Sequence, residues 1–305
     1  MKILVFTEKP FAPAAVKAIA NVINAAGQDM CLVERGTRSD LLEAVKDADA
    51  LIVRSDIVDK EVIDAAKQLQ VIVRAGAGYD NIDLKAATEH GICVMNTPGQ
   101  NSNAVAELVF GMIVMMCRNK YNGTSGSELK GKSLGIYAFG QVGRNVARIA
   151  AGFGMDIKAL DVFVPDEVMI QQGVVPVHDV NQLFSENDFV SLHIPATPET
   201  KNSIGYDLVV SMPKNGVLVN TARKEVIDED GLLKALEERP DLRYVSDIKP
   251  AKAEEFEKRF ADRVFFTPKK MGAQTAEANF NAGVAAAEQA IAYLTNGWNK
   301  YQVNK

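Results

Sequence analysis

Ser133-Leu134-Gly135-Ile136-Tyr137-Ala138-Phe139-Gly140-Gln141-Val142-Gly143-Arg144 is the stretch that decides the fold. Its first five residues read as a short β-strand. Glycines punctuate the next six, and Arg144 to Gly152 has helical spacing with Val146, Ile149 and Phe153 on one side. A second apolar run, Ile157–Leu160, ends in Asp161, 18 residues after Gly143. Strand, glycine turn, helix, strand and acid in this order form a dinucleotide-binding βαβ unit. Gly140 allows the main chain to approach a pyrophosphate, and Gly143 allows helix to close on strand. The first N–H groups of the helix, from Gln141 and Val142 onward, meet the phosphates at the positive end of the helix dipole. Asp161 is placed to accept hydrogen bonds from the adenosine ribose. Its charge repels a 2′-phosphate and no arginine follows it directly, so NAD is expected rather than NADP. The strict motif has a third glycine where this chain has Ala138. A methyl group is tolerated there if φ stays negative.

Outward from this stretch, apolar β-type runs alternate with helical patterns along the whole chain. The earlier runs are Ile3–Phe6, Met30–Val33, Ala50–Val53, Val71–Val73 and Ile92–Met95. The later ones continue through Val175–Val177, Phe189–His193, Gly216–Asn220, Tyr244–Ser246 and Val264–Thr267. The pattern predicts an α/β protein of two doubly wound parallel-sheet domains. Pro and Gly within Asn96-Thr97-Pro98-Gly99-Gln100-Asn101 mark a boundary after residue 97. The helical run Ala104–Cys117 is apolar nearly all round and is expected to be buried between domains or between subunits.

Composition narrows the function. The chain has 305 residues, 47% apolar and 24% charged, with a formal net charge of −5. Such a balance offers no global cationic field to nucleic acid or anionic membrane. No segment is long and apolar enough to span a bilayer. The opening residues lack the apolar core of a secretory signal. Three cysteines, Cys31, Cys93 and Cys117, sit among apolar residues and read as reduced core thiols, which fits a cytoplasmic location. No metal-ligand spacing is present, and the expected partner is a small anionic molecule held by local basic groups.

Val219-Asn220-Thr221-Ala222-Arg223 closes an apolar strand with a cation. Ligands of parallel sheets bind beyond the carboxyl ends of the strands. A guanidinium there can hold a carboxylate and a carbonyl oxygen with a fork of donors.

Thr267-Pro268-Lys269-Lys270-Met271-Gly272-Ala273-Gln274-Thr275 resembles the C-terminal catalytic stretch of the D-isomer-specific 2-hydroxyacid dehydrogenases. The resemblance covers nearly the whole chain. Asn220-Thr221-Ala222-Arg223 matches the family segment carrying the substrate-orienting arginine. Arg74-Ala75-Gly76-Ala77-Gly78 matches the first-domain substrate loop, whose glycines let N–H groups close on a carboxylate. Asn101 to Glu107 matches the start of the interdomain helix. His193-Ile194-Pro195 matches a segment beside the cofactor, and Asp247 matches the acid that contacts the nicotinamide amide. The resemblance implies a flavodoxin-like substrate domain (1–97 plus 277–305, the tail crossing back) and a Rossmann NAD domain (98–276). Thr221, Ala222, Arg223, Gly272 and Ala273 are then expected to line the cofactor as well, and a cytoplasmic homodimer is expected. Within the family the chain resembles the short form, and no appended regulatory domain is expected.

Two departures stand out. In most of the family a histidine follows Thr-Pro as general acid/base. Here Lys269 stands in that place, and the three histidines, His90, His178 and His193, all lie elsewhere. The family's catalytic glutamate, five residues after the acid matched by Asp247, is Lys252. The two losses fit together. A carboxylate supports an imidazolium but would hold an amine as ammonium. A lysine base starts from a reference pKa of about 10.4 and needs it lowered, which desolvation on domain closure and the nearby positive charges of Arg223 and Lys270 are expected to do. Lys269 and Arg223 are therefore the expected catalytic residues, with Lys270 the competitor for Lys269. Within the family, Thr7 to Phe11 and Arg54-Ser55-Asp56 are most similar to members acting on a phosphorylated 2-hydroxy acid. Arg54 and Lys9 are then the expected phosphate cations. The alternatives are a reductase or dehydrogenase for an unphosphorylated 2-hydroxy acid such as glyoxylate, hydroxypyruvate or D-lactate, and an NAD-sensing corepressor-like module.

Overall fold

The computed structural model describes all residues, 1–305. The chain forms two compact units, Met1–Asn101 with Gln274–Lys305, and Ser102–Ala273. The first therefore reaches four residues beyond the expected break at 97. Thr97 N–H donates to Gly76 O at 3.0 Å and Asn96 Nδ2 to Ala77 O at 2.6 Å, which ties this segment back to its own unit.

The first unit is built on β1 (Lys2–Thr7), β2 (Asp29–Glu34), β3 (Ala50–Val53), β4 (Val71–Arg74) and β5 (Cys93–Asn96). The order is β2-β1-β3-β4-β5 and every pairing is parallel. Both β3 and β5 are buried at every residue, as strands covered on both faces must be. The short helices Lys60–Ala65 and Leu84–Glu89 start where Asp59 and Asp83 accept N–H groups of their first turns. The C-terminal helix Ala276–Asn296 belongs to this unit and packs on the helix Pro13–Ala25 and on β3 and β4. Its contact face is small: Ala282, Ala286, Ala287 and Ala290 are buried beside Ile19 and Ile23.

The second unit is built on β6 (Ser133–Tyr137), β7 (Asp156–Leu160), β8 (Val175–Pro176), β9 (Phe189–Leu192), β10 (Val217–Asn220), β11 (Arg243–Ser246) and β12 (Val264–Phe266). Its order is β12-β11-β10-β9-β6-β7-β8, all parallel, so the winding reverses between β6 and β9. One face is covered by the helices Ser102–Cys117 and Gln141–Gly152. The first of these was expected at an interface. Ten of its residues are buried, and within its own unit it packs against the helix Gln141–Gly152 and the strands β10 and β11. The other face holds an aromatic cluster, with Tyr244, Phe256 and Phe266 meeting at centroid distances of 5.6–6.0 Å. No helix is long and apolar enough to cross a membrane.

The alanine face of Ala276–Asn296 sets how near that helix comes to the sheet. Ala286→Leu is expected to overpack it and lower the unfolding free energy by about 1–3 kcal/mol. The single tryptophan, Trp298, packs on this core, so urea denaturation followed by its fluorescence measures the change.

Candidate active site

Parallel pairing brings the carboxyl ends of the seven-stranded sheet to one edge, and the residues singled out in this unit follow those ends. The glycine turn follows β6, Asp161 follows β7, His193 follows β9, Arg223 follows β10, Asp247 follows β11 and Lys269 follows β12. Gly140 is the N-cap of the helix Gln141–Gly152 and no side chain caps it. The first N–H groups of that helix are thus free of a side-chain acceptor, and a Cβ built on Gly140 meets nothing within 4 Å. At Gly143, by contrast, a Cβ would lie 2.3 Å from Ala138 O, so only glycine lets this helix sit on the turn. Open space at one glycine and tight packing at the other suit a pyrophosphate on a helix N-terminus.

One expectation fails here. Ala138 does not keep a negative φ; its φ is +80°. The turn needs a left-handed residue, and Ala138 N–H still reaches Leu160 O at 2.8 Å. The alanine adopts the conformation of the missing glycine and bears the strain. Asp161 is half-buried, and its carboxylate accepts Phe139 N–H at 2.7 Å and Phe163 N–H at 2.8 Å. The acid therefore braces the turn as well as facing the edge, with acceptor capacity left on both oxygens. Val162 and Phe163, directly after it, are 81% and 91% exposed. The sequence reading passed over this apolar pair; its signal was two large apolar residues following the acid at a strand end.

His193 lies between Ser191 Oγ, 3.0 Å from Nε2, and Thr221 Oγ1, 3.3 Å from Nδ1. Part of its edge reaches the surface, yet protein surrounds the ring closely enough that desolvation lowers its pKa to about 3. It is a neutral wall of the site. Ile194 is buried and Pro195 exposed beside it. Thr221 and Ala222 are buried and Arg223 half-buried. Asn220 shapes this turn: its Oδ1 accepts Ala222 N–H at 2.9 Å and its Nδ2 donates to Arg223 O at 3.0 Å.

Asp247 has a task that the sequence did not reveal. It is wholly buried, and its carboxylate accepts the Thr267 hydroxyl (3.0 Å), Met271 N–H (2.6 Å) and Gly272 N–H (2.8 Å). One anion thus grips the Pro268-Lys269-Lys270 tip from both sides. Asp247 is thus tied to the loop after β12 by three bonds. Gly272 is buried and Ala273 half-buried next to it. Lys269 and Lys270 are both exposed. The Lys269 side chain is thus open to solvent in this structure. Lys252, at the family's glutamate position, pairs through its ammonium with Asp230, while Ala251 and Lys252 N–H donate to the Glu229 carboxylate at 2.8 and 2.7 Å. Glu254, Glu255 and Glu257 lie on an exposed helix face.

The first unit gathers its own set at the carboxyl ends of β1, β3 and β4. Arg54 is less available than expected. Its Nη1 donates to Lys9 O (2.9 Å) and Pro10 O (3.0 Å), its Nη2 to Asn279 Oδ1 (2.6 Å), and its guanidinium lies 5.0 Å from the Phe11 ring centroid. Burial lowers its pKa. One hydrogen on Nε and one on Nη2 remain outside these bonds. Lys9 is exposed and contributes its carbonyl to Arg54. Arg74 Nε donates to Arg54 O at 2.9 Å. The Arg74 guanidinium packs where a Cβ of Gly76 would be, and Gly76 has φ +148°. Ala75 and Gly76 are buried; Ala77, Gly78 and Asn101 are half-buried. No group of three or more His, Cys, Asp or Glu side chains is arranged to hold a metal ion.

Two outcomes follow. Ala138→Gly is expected to raise the unfolding free energy by up to about 1 kcal/mol, the relief of left-handed strain exceeding the entropy glycine adds to the unfolded chain; urea denaturation measures it. His193 should make stability fall as pH falls from 6.5 toward 3, because in that window the unfolded chain binds a proton that the folded chain does not. His193→Gln should flatten that part of the profile, read by denaturation between about pH 7 and about pH 4.

Comparison with known proteins places this geometry. Residues 3–304 match the family model described as D-isomer specific 2-hydroxyacid dehydrogenase, catalytic domain. A D-3-phosphoglycerate dehydrogenase of Methanocaldococcus jannaschii is 41% identical over 275 residues, which is 83% of this chain and 51% of that protein. A hydroxypyruvate reductase of Thermotoga maritima is 36% identical over 270 residues, 83% of this chain and 87% of that protein. The crystal structure of NAD+-bound 3-phosphoglycerate dehydrogenase of Entamoeba histolytica is 48% identical with a TM-score of 0.89, covering 100% of this chain and 99% of that one. This chain spans about half the length of the Methanocaldococcus relative. With a family match over nearly its whole length and the cofactor turn, the arginine and the Thr-Pro loop on one sheet edge, the chain belongs to the D-isomer specific 2-hydroxyacid dehydrogenases.

Proposed function

We propose that the chain oxidises 3-phospho-D-glycerate to 3-phosphohydroxypyruvate with NAD, the entry step of serine biosynthesis. The observation that carries the chemistry is the common edge of the seven-stranded sheet, which holds the uncapped helix N-terminus, Asp161, Arg223 and the clamped Lys269 loop. Gly140, Gln141, Val142 and Asp161 would hold NAD, and Asp161 favours it over NADP. When bound, NAD takes up the hydride from C2 of the substrate. Arg223 pairs with the substrate carboxylate and steadies the charge that gathers on the C2 oxygen. Lys269, uncharged at that moment, takes the hydroxyl proton on Nζ; in reverse its ammonium returns it to the keto oxygen. Its exposure in the structure means that the exclusion of water has to accompany substrate binding. The choice of a phosphorylated substrate is supported by the 41% and 48% identical relatives. A hydroxypyruvate or glyoxylate reductase is the second reading. It is favoured by the relative that this chain covers to 87% of its length and by the three Arg54 hydrogens already bonded to protein.

Formation of NADH, followed by absorbance with 3-phosphoglycerate, D-glycerate and D-lactate in parallel, separates the readings. Turnover of D-glycerate equal to that of 3-phosphoglycerate would exclude the phosphate reading. Lys269→Ala should lower turnover about 1,000-fold or more while NAD still binds, measured by calorimetry. Lys270→Ala, assayed beside it, should retain most of the rate. A near-native Lys269→Ala would assign the proton elsewhere.

A further inference from the structure

We infer that Asn279, in the first turn of the C-terminal helix, is a positioning residue that aims Arg54 at the phosphate of the substrate and so sets selectivity for phosphorylated over unphosphorylated acids. This rests on the phosphate reading above and adds a residue to it. Arg54 is held at several points: Lys9 O and Pro10 O bind Nη1, the Phe11 ring lies 5.0 Å from the guanidinium, and the Arg54 N–H donates to Asp56 Oδ2 at 3.1 Å. Two of those acceptors are main-chain carbonyls on the loop after β1. Asp56 Oδ2 meets only the Arg54 main-chain N–H; the one side-chain acceptor of the guanidinium itself is Asn279 Oδ1, nearest at 2.6 Å and 225 residues away in sequence. The Asn279 amide is itself oriented, because its Nδ2 donates to Thr275 O at 2.8 Å and leaves Oδ1 toward the arginine.

An amide is the fitting acceptor here. It fixes one Nη2 hydrogen without adding a negative charge to the one that Asp56 already places near Arg54, so the brace leaves the cation available to a dianionic ligand. The two hydrogens left, on Nε and Nη2, suffice for a bidentate bond to phosphate oxygens. The hydroxymethyl group of an unphosphorylated acid has no charge to answer this cation. All of these contacts lie within the first unit, whereas Arg223 and the Lys269 loop belong to the second.

The test compares reduction of 3-phosphohydroxypyruvate and of hydroxypyruvate by NADH in the wild type, Asn279→Ala and Asn279→Asp. Asn279→Ala frees Nη2 and should lower kcat/KM for the phosphorylated acid about 10-fold, mainly through KM, with less than about a 2-fold change for hydroxypyruvate. Asn279→Asp keeps the hydrogen bond and pairs the arginine, so its melting temperature should equal or exceed the wild-type value. Its selectivity should nevertheless fall at least as far as that of Asn279→Ala, because the added carboxylate cancels the charge. Loss of the preference in a protein that is no less stable is a result that a purely structural asparagine would not produce. A wild type that prefers the phosphorylated acid while both variants keep the same ratio would overturn the inference and leave the proposed function standing. A wild type with no preference would overturn both.

Discussion

Parallel pairing in the seven-stranded sheet is the constraint on which the site depends. Strands that all run one way end at one edge, so six segments scattered from residue 138 to residue 273 of the chain arrive together without any of them being adjacent in sequence. The reversal of winding between β6 and β9 opens the point where a dinucleotide binds in such sheets. Everything chemical in this unit, from the helix N-terminus to the Lys269 loop, is placed by that arrangement rather than by local sequence. The five-stranded sheet repeats the principle: Lys9, Arg54 and Arg74 follow β1 and β3 or end β4, and they bond to one another there.

Two local features show how tightly the edge is built. Gly143 has no room for a side chain against Ala138 O, whereas Ala138 itself carries a methyl group in a left-handed conformation. The fold tolerates the strained alanine because the neighbouring contacts, Leu160 O on one side and the helix on the other, fix the turn regardless of the residue. Asp161 contributes to the same rigidity by bonding to the N–H groups of Phe139 and Phe163. The acid of a cofactor motif thus also holds the turn to which it belongs.

Asp247 and Lys252 separate what a carboxylate does to a lysine from what it does to a loop. The buried Asp247 bonds to two main-chain N–H groups and a hydroxyl, not to the ammonium, so it can hold the Lys269 tip in place through the backbone. A glutamate aimed at an amine would stabilise its charged form. At the position where the family carries that glutamate, this chain has a lysine paired with Asp230 on the surface. In the proposed mechanism, positioning and proton transfer then fall to different groups.

Fold class, the alternation of strands and helices and the glycine turn were legible in the sequence because they rest on local signals: short continuous apolar runs, helical spacing and glycine where a side chain cannot fit. Arg223 and Lys269 were legible through their place at strand ends and their resemblance to family motifs. Their surroundings were not. That Ala138 would take a positive φ, that Asp247 would turn inward to clamp a loop, and that Arg54 would already be bonded to Asn279 depend on contacts between residues up to 225 positions apart. The apolar helix Ser102–Cys117 is a similar case, since its composition announced burial but not the neighbour that provides it. Sequence alone determines which elements form and which groups they present. Only the tertiary structure decides which donor meets which acceptor, because hydrogen bonds between distant segments act over about 3 Å and are set once the sheets and helices have packed.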